Sequence, residues 1–250
     1  MLPSTAIIVP CYNEASRLDI AAFTTFLQEQ SNFHFFFVDD GSTDASVDCL
    51  RKICDESPEN ASIITLPCNT GKSEAVRQGV QKALEFPFHF IGFWDADLAT
   101  PLSELVAFRA MYSNQSSVQM ICGSRIKRLG SSIERHWYRH YLGRIIATSI
   151  SLLLRLPVYD TQCGAKLFTR ALATHLFSDP FISRWLFDVE LFARTIGFLG
   201  RKIATQVIYE YPLASWKDID GTKISFSYLP KIPIELFRIA QSYKYQLNKW

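Results

Sequence analysis

Two aspartates separated by one residue, Asp95 and Asp97, directly follow the apolar run 88–94 (FHFIGFW). Residues two apart in a strand face the same side, so a strand continuing through this pair would place both carboxylates together. Two adjacent carboxylates repel each other unless water or a cation intervenes. Mg²⁺ and Mn²⁺ prefer oxygen ligands, and Mg²⁺ is usually held by one or two carboxylates plus substrate phosphates. The pair therefore predicts a divalent-metal site; the alternative is a solvated turn, where aspartate is common.

A second predicted strand, 34–42 (HFFFVDDGS), also ends in two carboxylates. Adjacent residues of a strand face opposite sides, so Asp39 and Asp40 are expected to have different roles. One is predicted to accept hydrogen bonds from a base or ribose, and the other to fix the glycine turn that follows.

Two further stretches carry residues suited to a nucleotide or a phosphate. Tyr12 and Glu14 follow the first predicted strand, 5–10 (TAIIVP). Gly71 and Lys72 stand at a predicted helix start, where backbone N–H groups and a cation can face an anion. The complete P-loop pattern is absent, which disfavours an ATPase.

The elements that position these residues alternate between strand and helix from residue 5 to residue 94. The strands are too apolar to be half-exposed, which predicts an α/β fold with a largely parallel sheet covered by helices on both faces. Ligands of such sheets bind beyond the carboxyl ends of the strands. The predicted strands are 5–10, 34–42, 61–67 and 88–94, and the predicted helices are 15–30, 43–56 and 71–85.

The second half of the chain is less regular. Its pattern predicts a strand at 118–125, a partly helical stretch at 131–156 and mixed turn and strand at 158–170. A helix at 187–198, a last strand within 201–213, a polar loop at 214–225 and an amphipathic segment at 234–250 follow.

Composition excludes several classes of protein. The 250 residues are 48% hydrophobic and 20% charged, which is inconsistent with global disorder, and the net charge of +2 does not indicate a nucleic-acid-binding protein. The six cysteines show no C-x-x-C spacing, and no secretory signal is recognisable, so we expect reduced thiols in a cytosol-facing protein. No run reaches the roughly 18–20 apolar residues that span a bilayer.

Charge is concentrated between Arg125 and Arg144, where six basic residues stand against the single acid Glu134. Such a patch suits a phosphate or an anionic membrane surface; the alternative is a solvated helix face.

Several motifs, in this order and spacing, resemble the nucleotide-sugar half of family 2 glycosyltransferases, which have the GT-A fold and act with inversion. They are VPCYNEASRL (9–18), VDDGSTD (38–44), NTGKSEAVRQG (69–79), DADLATP (95–101) and GSR (123–125). Further stretches are similar to the polyprenyl-phosphate branch of the family, and most of all to its dolichyl-phosphate β-glucosyltransferases: DTQCGAKLF (160–168), RWLFDVE (184–190) and 216–223. The resemblance covers about residues 5–225, which we take as one domain, with 226–250 as a C-terminal amphipathic or docking segment.

The resemblance implies roles for individual residues. Asp95 and Asp97 match the D-x-D that holds metal and diphosphate, and Ala99 fits the glucosyltransferase pattern where mannose synthases often carry glutamine. Arg125 matches a phosphate-contacting arginine. The residues expected to bind the nucleotide-sugar are Pro10, Tyr12, Glu14, Asp39, Lys72 and Asp95.

A lipid monophosphate is already anionic at neutral pH, so the reaction needs cations to position it more than a base to deprotonate it. The residues expected to bind the lipid phosphate are Arg125, Arg135, Arg139 and Lys223. Asp188 lies near the place of the catalytic carboxylate in related enzymes, although their Q-x-x-R-W motif is absent. We expect Asp97, Asp188 and Arg125 to serve catalysis, with Asp188 orienting the donor sugar or a basic partner; the alternative is a carboxylate that stabilises a helix start.

The leading hypothesis is inverting transfer of a hexose, glucose from UDP-glucose, to polyprenyl or dolichyl phosphate, with Mg²⁺ or Mn²⁺ as cofactor. The alternatives are a mannose synthase that uses GDP-mannose, transfer to a saccharide hydroxyl, and a non-catalytic sensor of nucleotide-sugars. A lipid acceptor implies peripheral attachment at the cytoplasmic face of a membrane, through 131–156 or the C-terminal segment, and a membrane protein as a candidate partner.

Overall fold

The computed structural model describes residues 4–134, 137–219 and 231–247, with the backbone alone for 137–140. Its centre is a seven-stranded sheet with the order β3-β2-β1-β4-β7-β5-β8. β7 runs antiparallel to β4 and β5, and the other neighbouring pairs are parallel. The prediction of an α/β fold with a largely parallel sheet is confirmed. The strands are β1 (Thr5–Cys11), β2 (Phe33–Asp39), β3 (Ala61–Thr65), β4 (Phe90–Trp94), β5 (Met120–Ser124), β7 (Ala165–Thr169) and β8 (Ile208–Pro212).

A small parallel pair of strands lies apart from the main sheet. It joins β6 (Ser132–Glu134) to β9 (Ser215–Lys217), with Ile133 opposite Trp216. The stretch predicted as a polar loop from 214 therefore begins with a strand.

Ten helices are found in the described ranges. They are α1 (Ile20–Glu29), α2 (Ser46–Glu56), α3 (Lys72–Ala83), α4 (Ser103–Asn114), α5 (Trp137–Leu154), α6 (Arg170–Leu176), α7 (Phe187–Leu199), α8 (Arg201–Val207), α9 (Ile232–Ser242) and α10 (Lys244–Leu247). None of the described helices combines the length and the apolar character that crossing a bilayer requires.

The start of the first helix differs from the sequence prediction. The helix begins at Ile20 rather than near residue 15, because Asp19 caps it by accepting the Ala22 N–H at 2.9 Å. The last strand predicted within 201–213 is found as β8, and the helix α8, which was not predicted, directly precedes it.

The core occupies both faces of the sheet, because successive strand residues point to opposite sides. On one face, Ile8 and Phe93 belong to a cluster with residues of α3, α6 and α7. On the other face, Ile7, Phe35 and Trp94 belong to a cluster with residues of α1, α2 and α4. Burial of each such large side chain contributes roughly 1.5–3 kcal/mol, so the sheet is a stable support for the loops at its edge.

The C-terminal helices α9 and α10 pack onto this body. Ile239, Tyr243 and Leu247 are buried and belong to the same cluster as α7. The Tyr243 hydroxyl donates to Glu190 Oε2 at 2.9 Å and accepts from Arg194 Nε at 2.8 Å. This end of the chain is therefore docked through both apolar and polar contacts. Because residues 220–230 lie outside the described ranges, the domain boundary at 225 stays a prediction.

Candidate active site

The carboxyl ends of three neighbouring strands meet at one edge of the sheet. β2, β1 and β4 lie side by side and in parallel, so the residues that follow them emerge together. The antiparallel β7 begins at the same edge, because Ala165 pairs with Trp94. The topology gathers the polar residues that the sequence predicts as a ligand site.

Asp95 and Asp97 lie in a turn beyond the strand, which corrects the argument from strand alternation. β4 ends at Trp94, and Leu98 adopts a left-handed conformation with φ 52°. The turn is held by three hydrogen bonds: Asp95 N–H to the Gly164 carbonyl at 3.1 Å, Ala99 N–H to Asp97 Oδ1 at 3.1 Å, and the Trp94 indole N–H to the Thr100 carbonyl at 2.7 Å.

The two carboxylates still share one electrostatic environment. Burial raises the pKa of Asp97, and the negative charge of Asp95 raises it further. This mutual repulsion is what a divalent cation between them would relieve, so the donor set fits Mg²⁺ or Mn²⁺. Within the described part of the chain, no group of three or more His, Cys, Asp or Glu side chains is placed to hold a metal. A metal at Asp95 and Asp97 would therefore complete its ligands with substrate oxygens and water.

Lys72 supplies the positive charge at the centre of the site. It is the first residue of α3, and its Nζ lies 2.5 Å from Asp95 Oδ1. Burial lowers the pKa of Lys72, but the carboxylates of Asp95 and Asp188 outweigh it and the net shift is upward. The ammonium group is thus fixed in its charged form beside the predicted metal site.

Asp188 is buried in the first turn of α7 and pairs with a buried lysine. Lys166 Nζ lies 2.5 Å from Asp188 Oδ1, and the Lys166 side chain is 0% exposed. Burial raises the pKa of Asp188, while the charges of Lys166 and Lys72 oppose that rise. The structure displays both a contact with a basic partner and a position in the first turn of the helix, so the role of Asp188 in catalysis stays a prediction.

Arg125 follows β5 and forms a two-pronged ion pair with Asp160. Its Nε and Nη2 donate to the two carboxylate oxygens at 2.6 and 2.8 Å, and its guanidinium lies 5.3 Å from the Trp216 ring centre. Burial lowers the pKa of Arg125, but Asp160 raises it by more, and the charge of Asp95 also contributes to the rise. The guanidinium is therefore fixed within the field of the site.

Asp39 and Asp40 have different roles, as the alternation of strand residues predicts. Asp40 accepts the Thr70 N–H at 2.7 Å, the Thr70 hydroxyl at 2.8 Å and the Gly71 N–H at 2.9 Å. It fixes the loop that carries Lys72. Asp39 makes one long contact, 3.3 Å, to the Ser42 N–H. Of the two carboxylates, Asp39 therefore has the fewer hydrogen-bond partners, and its contact with a nucleoside stays a prediction.

The first loop is held against the loop after β2. Glu14 is buried and pairs with Arg17, a residue not predicted as part of the site. Asn13, with φ 51°, donates its N–H to the Ser42 hydroxyl at 3.0 Å. Pro10 lies on β1 opposite Val38. Tyr12 is partly buried just beyond the strand end.

The pKa of Arg17 is raised, mainly by its hydrogen bond to Glu14 against an opposing effect of burial. The charges of Asp97 and Asp95 contribute to the same rise, so the first loop lies within the electrostatic field of these two carboxylates.

Glu190, which shares the RWLFDVE motif with Asp188, serves a structural role. Its carboxylate accepts the N–H groups of Ile182 and Ser183 at 3.1 and 2.8 Å, as well as the Tyr243 hydroxyl. It therefore joins the loop before α7 to the C-terminal helices.

The rest of the basic patch is described in part. Arg128 donates to the Pro212 carbonyl at 3.2 Å, and Arg144 donates to the Tyr159 carbonyl at 2.8 Å while lying 3.6 Å from the Tyr159 ring centre. Lys127 is exposed. Arg135, Lys223 and the side chain of Arg139, all predicted to bind the lipid phosphate, lie outside the described residues.

Three further residues that contact predicted site residues were not predicted from the sequence: Asp160, Gly164 and Lys166. All three lie in the motif DTQCGAKLF, which the resemblance singled out without giving it a task. A lysine in an otherwise apolar strand, as Lys166 is in β7, is the signal that a buried acid partner exists.

The family comparison places the chain among glycosyltransferases. The family model described as Glycosyl transferase family 2 matches residues 6–177. A dolichyl-phosphate beta-glucosyltransferase of Dictyostelium discoideum is 29% identical over 263 residues, which cover 98% of this chain and 76% of that protein. The protein of the same name from Saccharomyces cerevisiae is 31% identical over 241 residues, 89% of this chain and 69% of that protein.

Solved structures agree on the fold. Glucosyl-3-phosphoglycerate synthase from Mycobacterium tuberculosis, crystallised with Mn²⁺ and UDP-glucose, superposes with a TM-score of 0.69 at 17% identity, over 96% of this chain and 79% of that chain. At this identity the likeness concerns the fold alone, and it confirms the predicted GT-A type.

Proposed function

The chain belongs to glycosyl transferase family 2, and on that premise we propose that it transfers glucose, with inversion, from UDP-glucose to dolichyl or polyprenyl phosphate. The observation that carries the proposal is the arrangement at the carboxyl ends of the strands. Lys72 contacts Asp95, and the charge of Asp95 also acts on Arg125. One edge of the sheet thus combines the carboxylates Asp95 and Asp97, suited to a metal, with positive charge for two anionic reactants.

In the proposed reaction a phosphate oxygen of the acceptor attacks C1 of glucose. The bond from C1 to the UDP oxygen breaks, UDP leaves with the electron pair, and the configuration at C1 inverts. Asp95 and Asp97 would hold the metal, which when bound offsets the charge growing on the departing diphosphate. Lys72 orients the diphosphate, and Asp39 accepts hydrogen bonds from the nucleoside.

The pairing of Asp188 supports a phosphate acceptor over a hydroxyl acceptor. A hydroxyl needs a general base within hydrogen-bond reach, whereas a monophosphate is already charged. Asp188 is 4% exposed and is engaged by Lys166, so it is poorly placed to take a proton from a substrate. We assign it to positioning within the site, and Arg125 to contact with the acceptor phosphate.

We propose peripheral attachment to the cytoplasmic face of a membrane, and an apolar groove supports the attachment itself. It has a volume of about 510 Å³ and lies between α5 and α9, with Leu142, Ile146 and Leu236 among its lining residues. Ile145 and Phe237 at its margin are 66% and 62% exposed. Exposed aliphatic and aromatic side chains on neighbouring helices are typical of surfaces that enter the lipid interface. A membrane protein that supplies the acceptor would meet the same face.

Transfer of radiolabelled glucose from UDP-glucose to a polyprenyl phosphate tests the proposal. We expect organic-extractable label that depends on Mg²⁺ or Mn²⁺, with less from GDP-mannose and none when a polyprenyl alcohol replaces the phosphate. Asp97→Asn should abolish transfer, whereas Asp48→Asn, a change at an exposed carboxylate on α2, should not. Absence of extractable label from every UDP- and GDP-sugar would exclude the function.

A further inference from the structure

The segment 160–166 (DTQCGAK) contacts three predicted site residues that come from three different elements. Its last two residues begin β7 (Ala165–Thr169), the antiparallel strand between β4 and β5, so the segment runs along the edge where those two strands end. Its contacts are to Arg125 after β5, Asp95 after β4 and Asp188 in α7.

At its first residue the segment fixes Arg125. The Asp160 carboxylate receives both donors of the guanidinium fork and, at 3.2 Å, the Arg125 backbone N–H. Asp160 is itself anchored, because its N–H donates to Glu210 Oε1 at 2.8 Å, and the Tyr159 N–H donates to the other oxygen at 2.8 Å. The ion pair of Arg125 with Asp160 is therefore anchored to β8 through Glu210.

In its middle the segment meets Asp95. The Gly164 carbonyl accepts the Asp95 N–H at 3.1 Å. A Cβ atom at position 164 would lie 1.8 Å from Asp95 Oδ2 and 2.2 Å from Asp95 Cγ, which no real contact permits. Gly164 does not have the positive φ that favours glycine, so the need for glycine comes from the Asp95 carboxylate.

At its last residue the segment fixes Asp188. Lys166 Nζ donates to the Thr161 carbonyl at 3.0 Å and to the Cys163 carbonyl at 2.7 Å as well as to Asp188. The buried ammonium group of Lys166 thus binds two carbonyls of its own segment and links the segment to α7. A buried charge with three acceptors is satisfied and has little freedom to move.

We propose that the segment 160–166 is a positioning element that sets Asp95, Arg125 and Asp188 relative to one another, and that Gly164 is the residue that admits the Asp95 carboxylate. The inference rests on the proposed function of these three residues. It adds a positioning role for Asp160, Gly164 and Lys166. This role is not apparent from the sequence, because these residues are far from the D-x-D motif.

The first test is Gly164→Ala in the full chain, with UDP and Mn²⁺ binding measured by calorimetry and by the Mn²⁺ electron paramagnetic resonance signal. We expect at least tenfold weaker binding at a temperature where circular dichroism finds the variant folded. The matched control is Gly197→Ala in α7, where an added Cβ meets the flexible Gln246 side chain rather than the site. Binding at the parent affinity by Gly164→Ala would overturn the proposal.

A second test needs no ligand and can still be interpreted if Gly164→Ala lowers the stability of the protein. In an Asp95→Ala background the carboxylate that the new methyl group meets is gone. We therefore expect Gly164→Ala to shift the unfolding equilibrium constant at least tenfold more in the parent protein than in that background. Equal shifts in both would contradict the proposal. Because this coupling is independent of transfer, it distinguishes failure of the positioning role from failure of the proposed glucosyl transfer.

Discussion

Lys72 places its ammonium group among the carboxylates of the site. Replacing Lys72 is therefore the most direct test of the electrostatic interactions there. The 2.5 Å contact to Asp95 and the upward pKa shift mark it as a permanent charge. Hydrogen bonds to charged groups contribute about 1.5–3 kcal/mol, so Lys72→Met should weaken UDP-glucose binding roughly tenfold to a hundredfold.

Calorimetric titration with UDP-glucose and Mn²⁺ measures this change. Lys82→Met is the matched control, because Lys82 lies on the same helix, is 48% exposed and pairs with Glu85 away from the site. Equal affinity in the two variants would mean that Lys72 does not contact the donor.

The individual residues also show what a sequence can predict about a site. Asp95 and Asp97 are recognisable because they are close in sequence and follow an apolar strand. Lys166 stands out as a lysine in an apolar strand, but its partner cannot be identified in this way, because Asp188 is 22 positions away.

Among the elements, the loop 66–71 depends on one carboxylate from a neighbouring strand. Asp40 accepts three hydrogen bonds there, and Asp40→Ala would leave all three donors without that partner. We expect the free energy of unfolding to fall by roughly 2–4 kcal/mol, together with weaker donor binding through displacement of Lys72. Urea denaturation measures the first effect, and Asp55→Ala at an exposed position of α2 is the control.

The first four strands and their helices follow from the sequence because each strand is an apolar run and strands and helices alternate regularly along this part of the chain. The antiparallel position of β7 between β4 and β5 does not follow from the sequence. Its strand is apolar like the others. Its place between β4 and β5 is set by pairing with residues 73 and 48 positions away, as in Phe93 with Lys166 and Met120 with Phe168, which no local pattern encodes. Because the segment 160–166 leads into β7, its positioning contacts could not be foreseen from a local pattern either.

At the scale of the whole molecule, the C-terminal helices are joined to the body by the Glu190, Arg194 and Tyr243 network. Tyr243→Phe removes the hydroxyl that bridges the two charged groups. We expect the free energy of unfolding to fall by about 1–3 kcal/mol, because a buried carboxylate loses one donor, while UDP affinity stays at the parent value. Loss of UDP affinity in a folded Tyr243→Phe variant would instead connect this network to the site.

The apolar face formed by α5 and α9 predicts the mode of membrane attachment. Ile145→Asp combined with Phe237→Asp should reduce co-sedimentation with anionic phospholipid vesicles at least tenfold, since each lost side chain removes roughly 1.5–3 kcal/mol of burial. Ile203→Asp, at a position 47% exposed on α8, should bind vesicles like the parent protein. Equal binding by all variants would place the attachment elsewhere.

The short connection from α5 to Asp160 has a consequence for substrate access. α5 ends at Leu154, and six residues later the chain reaches the carboxylate that holds Arg125. Six extended residues reach at most about 20 Å. If α5 rests on the bilayer, Asp160 lies within this reach of the end of that helix, and the Arg125 side chain that would meet the acceptor is paired with Asp160. The phosphate of a lipid whose hydrocarbon tail stays in the bilayer would then be within range of Arg125. The lipid would not have to leave the membrane to be glycosylated.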